Sequence, residues 1–195
     1  MFSTPTLRTD RLLLVPPLMH EGMDVSYFVD WLNNPKVVKF SEQRHLKHTR
    51  HTQYDYLSTF DGDNSFLWEI RRLNISIGTI SAYRNKPNRI ANIGVMIGHT
   101  DSWGRSFASE AWEAVSNWLF SEGIRKLEAG CMASNKAMIK VLEKNEFVYE
   151  GRQSQHFLLD GKPEDAVYYG KIKKADIIPI AGRNGGHQGV LGSTG

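Results

Sequence analysis

The chain has 195 residues, 41% hydrophobic and 23% charged, a size and make-up that fit one globular domain and leave little room for two. Its net charge of +3 suits an anionic ligand, yet Lys and Arg never run beyond two in a row, which excludes the basic stripe of a nucleic-acid binder. The lone cysteine, Cys131, excludes an intrachain disulfide, and no apolar run is long enough for a bilayer span.

The N-terminal MFSTPTLRTDR lacks the charged-then-apolar layout of a secretory signal, so a cytoplasmic location and no membrane partner are expected. Leu7 to Val15 reads as a first strand, ended by Pro16-Pro17. Val25, Phe28, Val29 and Leu32 follow at helical spacing, and Asn33-Asn34-Pro35 stops them. Lys36 to Thr49 is a polar connection holding Phe40, Glu42, Arg44, His45 and His48. A second helix is predicted over Thr49–Phe60, closed by Asp61-Gly62-Asp63-Asn64.

Ser65–Arg71, Ile75–Tyr83 and Arg89–Ile97 are strand candidates separated by turn-like residues, which predicts an antiparallel meander. Helix Ser106–Ser121 carries one broad stripe of Phe107, Ala111, Ala114, Val115, Trp118 and Leu119. Lys126–Met132 reads as a strand and Asn135–Lys144 as a helix with Met138, Ile139, Val141 and Leu142 inward. Phe147–Leu159 and Ala166–Ile172 are the last strands, joined through Asp160-Gly161-Lys162-Pro163. Together these elements predict an α/β chain with a mixed sheet, parallel only around residues 93–132. The tail AGRNGGHQGVLGSTG is too rich in glycine to bury much, and residues 175–195 are read as an extension beyond the domain.

The chain is organised around IGVMIGHTDSWGRSFASE, residues 93–110. An apolar strand passes through a polar turn into the best helix, leaving that helix's first N–H groups unpaired at the positive end of its dipole. Such a terminus is a site for phosphate or diphosphate.

With IGVMIG, WGRSFASEA, NKAMIKVLEKNEF and FLLDGKPEDAVYYGKI in order, the chain resembles the GNAT acetyltransferases, in particular the RimJ/RimL-like N-acetyltransferases, over roughly residues 7–173. The resemblance implies one acetyltransferase domain over 1–174, acetyl-CoA as cosubstrate, and a homodimer through the sheet edge or late strands as an option. It implies backbone contacts to acetyl-CoA from Met96 and Ile97 and a phosphate cradle from Gly104, Arg105, Ser106, Phe107, Ala108 and Ser109. Asn135 would hydrogen-bond the pantetheine arm or brace the neighbouring strand. The family loop reads Arg/Gln-x-x-Gly-x-Gly/Ala. Here Trp103 takes its first position and Ser106 its second; because serine resists positive φ, ordinary helical geometry is expected at Ser106. Leu142 stands where many relatives carry a proton-donating tyrosine, Met138 where the RimL-like pattern has serine, and Glu146 where glycine is frequent.

Acetyl transfer to an amine calls for close positioning of the two reactants, an oxyanion donor and a base that accepts the amine's proton. Glu69 and His45 are the candidate bases, with Glu42, Arg44 and Asn92 as acceptor contacts. The structural alternative for Glu69 is a cross-strand partner to a surface arginine; for Glu42, Arg44 and His45 it is a solvated loop, while Asn92, on the strand, can position a water but not take a proton. Cys131 reads as core, and His45, His48 and His51 lack the company of a metal set. The acceptor is a small-molecule or peptide amine: a protein N-terminus, an amino sugar on a nucleotide carrier, an antibiotic or a polyamine. The rival readings are a CoA-binding module without catalysis and a nucleotide-binding switch, the latter disfavoured because GRSFASEA fits neither the P-loop nor the dinucleotide fingerprint.

Overall fold

A computed structural model describes residues 4–17 and 23–174. They build one eight-stranded sheet in the order β1-β2-β3-β4-β5-β6-β8-β7. β1 (Leu7–Arg8) and β2 (Leu13–Val15) divide the single strand expected at the start into a hairpin that pairs with β3 (Ser65–Arg72). β3, β4 (Ile75–Asn85) and β5 (Ile90–Ile97) form the expected antiparallel meander. Leu73 and Asn74, both at positive φ, close its first turn in the left-handed geometry that matches strand twist. β8 (Lys162–Ile172) begins at Lys162 rather than Ala166, because Asp160 and Gly161 alone form the same kind of two-residue turn after β7 (Val148–Leu159).

Short helices cover one face of the sheet: α1 (Ser26–Leu32), α2 (Pro35–Val38) and α3 (Arg50–Ser58), with a 3-10 turn at Glu42–His45. Asn33-Asn34-Pro35 does not only stop α1. Asn34 accepts a hydrogen bond from the Lys36 N–H with proline at the first helical position, which starts α2 inside the segment expected to be a loop. Thr49 and Thr52 form a reciprocal cap at the head of α3. Val25, Phe28, Trp31 and Leu57 pack on Leu67, and Met96 joins this smaller core.

The opposite face carries α4 (Phe107–Ser121) and α5 (Lys136–Lys144), which pack on the main core of Leu14, Phe66, Trp68, Ile70, Ile80 and Leu127. Of the inward stripe expected on α5, Leu142 alone is fully buried; Met138, Ile139 and Val141 are half-buried against the same core. Among the described residues no helix is long and apolar enough to cross a membrane. The glycine-rich segment 175–195 lies outside the described residues.

One irregularity positions the site. β5 pairs in parallel with β6 (Lys126–Met132) only at Ile90–Lys126, Ala91–Leu127 and Asn92–Glu128. Beyond Asn92, β5 stays paired with β4 and β6 with β8, so the two strands separate and a gap opens toward their carboxyl ends. α4 follows β5 and α5 follows β6, so both helices begin at the open end of the gap.

Candidate active site

Residues 98–109 carry the chain from β5 into α4. The Trp103 indole N–H donates to the Ile97 carbonyl at 2.8 Å, folding the turn back on the strand end. Gly104 has φ +72° and open space where a Cβ would stand. Ser106 then takes φ +62°, in the left-handed region, against the expectation of helical geometry. The chain must swing from an extended Trp103 into the axis of α4 within three residues, and two left-handed positions make that corner. No side chain caps α4, and no acceptor within the described residues meets the N–H groups of residues 105–109. These donors therefore face outward together, as a diphosphate cradle requires.

The cradle residues differ in what their side chains do. Phe107 is buried, with the guanidinium of Arg11 at 4.7 Å and that of Arg72 at 5.5 Å from its ring centre. Ser109 turns its hydroxyl inward to accept from the Asn145 amide at 3.0 Å, which leaves its N–H for the cradle. Arg105 is exposed and donates to the Asp101 carbonyl. Asn135, expected in the first turn of α5, is its N-cap: Oδ1 accepts from the Met138 N–H at 3.1 Å, leaving the amide donor unused. The Met96 carbonyl faces Gly78 of β4. By strand alternation the gap side of β5 then belongs to Val95, which sequence reading passed over, and to Ile97.

Across the sheet, Gly94 and the Met96 side chain share a face with Thr79 and Ser81 of β4, and a cavity of about 560 Å³ lies over them. Its other walls are Phe28 and Leu32 of α1, Ser41, Gln43, Leu46, Lys47 and His48 of the connection, and Thr52, Gln53 and Tyr56 of α3. Desolvation of its hydroxyl end, reinforced by the Tyr83 phenol beside it, raises the Tyr56 phenol above its usual range.

His48, which the sequence sets in the polar connection and in a histidine triplet, lines the same cavity. Asn33 fixes it by bonding both its backbone N–H and its carbonyl, each at 2.9 Å. The His48 ring Nε2 lies 3.3 Å from the Gln43 carbonyl. A carbonyl only accepts, so Nε2 carries the hydrogen and Nδ1 keeps the basic lone pair. The signal that could have found this residue is the doubled asparagine at the end of α1: Asn34 caps α2, and Asn33, the C-cap of α1, has a side-chain amide left for another segment.

The candidates named from sequence fall into different places. His45 and Arg44 line a second cavity of about 620 Å³ with Lys39, Lys47, Leu158, Asp160 and Gly161. Arg44 joins the two banks of its mouth, donating to Glu42 at 2.7 Å, to the Ser41 carbonyl, and to the Leu158 carbonyl at the tip of the β7–β8 hairpin. Glu42 sits outside as the partner of Arg44. Asn92 shares the face of Gly94 and Met96 at the last paired register. Glu69 is buried, bonded at 2.7 Å to Arg71 of its own strand rather than across strands. It lines a third cavity with Tyr27, Trp31 and His99. Burial and the Glu69 charge together raise the Tyr27 phenol. The ring of Trp31 lies against Gly98, where a Cβ would overlap it, and lines the Glu69 cavity. The structure thus does not bring Glu69 and His45 together. Leu142, in place of a tyrosine, is wholly inside the main core.

Comparison with known proteins agrees with this geometry. The profile of the acetyltransferase (GNAT) domain matches residues 11–148. No curated protein matches the sequence. Among solved structures, RimL, the ribosomal L7/L12 alpha-N-protein acetyltransferase in complex with coenzyme A, superposes with a TM-score of 0.75 at 19% identity, over 88% of this chain and 100% of that one. The microcin C7 self-immunity acetyltransferase MccE in complex with acetyl-CoA and AMP gives 0.74 at 16% identity, over 85% and 94%. Spermidine N-acetyltransferase from Vibrio cholerae in complex with CoA and spermine gives 0.74 at 16%, over 84% and 96%. Identities this low speak to the fold; the family profile spans more than half of the sequence. The chain belongs to the GNAT acetyltransferase family.

Proposed function

We propose that this protein is an acetyl-CoA-dependent N-acetyltransferase of the RimJ/RimL-like branch, moving the acetyl group to a primary amine by direct transfer. One observation carries the reading: the gap between β5 and β6 ends at an uncapped α4 whose first N–H groups have no protein acceptor. The residues fit the cosubstrate. Backbone N–H groups of Arg105, Ser106, Phe107, Ala108 and Ser109 would hold the diphosphate, Val95 and Ile97 the chain running through the gap, and Asn135 its amide groups. The Ile97 carbonyl already accepts from Trp103, so Ile97 has only its N–H to offer. Acetyl-CoA supplies an activated acyl carbon and a thiolate leaving group.

The residues of this chain do the rest. The cavity over Gly94–Met96 receives the amine and excludes bulk water from one side, and positioning of this kind is worth ~7–11 kcal/mol of barrier. His48, which lines this cavity and whose Nε2 lies against the Gln43 carbonyl, would take the amine's proton on Nδ1. Glu69 and His45, the candidates read from sequence, border other cavities, so His48 is the better-placed base. Leu142 has no proton to give, and the thiolate takes one from solvent, which balances the proton that His48 releases.

The test has two parts. Thiol release from acetyl-CoA should depend on added amine; CoA binding without release over protein, sugar and polyamine acceptors would mark a binding module instead. Ala108→Glu puts a carboxylate against the N–H cradle and should abolish CoA binding in a folded protein. Unchanged affinity would remove the cofactor placement.

A further inference from the structure

Resting on the acetyltransferase reading, the charge pattern of the two adjoining cavities names the acceptor. The cavity over β5 and the one under the hairpin tip both carry Leu32, Leu46 and Lys47 in their lining and so adjoin, the first as an inner site and the second as an outer one. The inner part offers hydroxyls and amides from Ser41, Gln43, Thr52, Gln53, Thr79 and Ser81, and no carboxylate lines it. Gln53 is 3% exposed, a buried amide turned to this wall. The outer part presents Lys39, His45 and Lys47 against the single acid Asp160. Arg44 is engaged with Glu42 and carbonyls, whereas Lys47 and His45 have no ion-pair or hydrogen-bond partner among the described residues.

We propose that the acceptor is an amino sugar bearing a phosphate ester: a neutral, hydroxyl-rich ring carrying the amine in the inner part, its phosphate held by Lys47, Lys39 and His45 outside. A polyamine would bring its other ammonium groups, still charged at neutral pH, into a groove without carboxylates to offset their desolvation. A hydroxylated ring instead matches the inner donors and acceptors, and a phosphate meets the unpaired Lys47 ammonium with Lys39 and His45 beside it. The reaction is balanced as an N–C bond made and a C–S bond broken, with the amine's proton leaving through His48 and the thiolate reprotonated.

The experiment titrates the CoA-loaded protein with glucosamine 6-phosphate, glucosamine, spermidine, a peptide with a free N-terminal serine, and a nucleotide-linked amino sugar. Direct binding is measured beside turnover. Glucosamine 6-phosphate or the nucleotide-linked sugar should bind at least tenfold tighter than glucosamine, and comparing those two tells a monophosphate from a nucleotide source. In Lys47→Glu the preference for phosphorylated over plain sugar should fall at least fivefold, while Lys47→Arg retains it. Lys47 is exposed and unpaired, so both variants should fold. Tighter binding of spermidine or peptide, no preference for phosphate, or a preference untouched by Lys47→Glu overturns the proposal. CoA binding, read separately by thermal shift, tells the two failures apart: without it the acetyltransferase reading falls as well, and with it only the acceptor assignment does.

Discussion

Ser106 and Glu146 are non-glycine residues held at φ +62°. A left-handed L-residue carries ~1–2 kcal/mol of strain. Ser106→Gly should therefore raise stability by about 1 kcal/mol, read as a higher denaturation midpoint, with CoA still bound. Glu146→Gly should gain less, because Glu146 also pairs with Lys171 at 3.2 Å. The serine's chemistry alone argued for helical geometry, since a backbone angle is set by the corner the chain must turn and not by the side chain. Burial pushes the Cys131 thiol up to about 11. Its reaction with a disulfide reagent should be slow at pH 8 and still accelerating above pH 10, because the thiolate is the reactive form; a plateau near pH 8 would contradict its burial.

At the scale of elements, one set of polar contacts ties the first hairpin to α4. Glu110 accepts from the Thr9 hydroxyl at 2.6 Å and from the Arg11 backbone and guanidinium. Burial works to raise its carboxyl, but these hydrogen bonds outweigh it and the value is lowered. A lowered carboxyl contributes stability above its unfolded value, ~4.3, and that contribution is lost as pH falls below it. Amide exchange over residues 7–15 should thus speed up selectively under mild acid, and Glu110→Gln should remove the effect. Long elements such as α4 and the β3–β5 meander were legible because their periodicity runs over many residues. α2 and the 3-10 turn were not, since four residues give no period, and only the asparagine cap could have announced the former.

At the scale of the whole molecule the proposed function divides between the two faces of the sheet: the cradle would lie at the α4–α5 face and the acceptor in the cavity under α1–α3, with the β5–β6 gap between them. The cradle was readable because it follows the chain continuously from β5 into α4. The cavity was not, because His48, Gln53, Ser81 and Met96 come from four separate segments that only folding brings together. Asn33→Ala should lower turnover more than tenfold while leaving CoA affinity in place, since it frees His48 without touching the cradle; equal losses in both would deny His48 its role. Acetyl-CoA at a hundred times its dissociation constant should add about 2.7 kcal/mol of stability.

Arg44 reaches from the connection to the Leu158 carbonyl and so fixes how far apart the two rims of the groove can stand. Entry and departure of any bulky guest then depend on how often one guanidinium lets go. Shortening that side chain to alanine should relax discrimination by size, admitting larger amines at the cost of a weaker grip on the natural one.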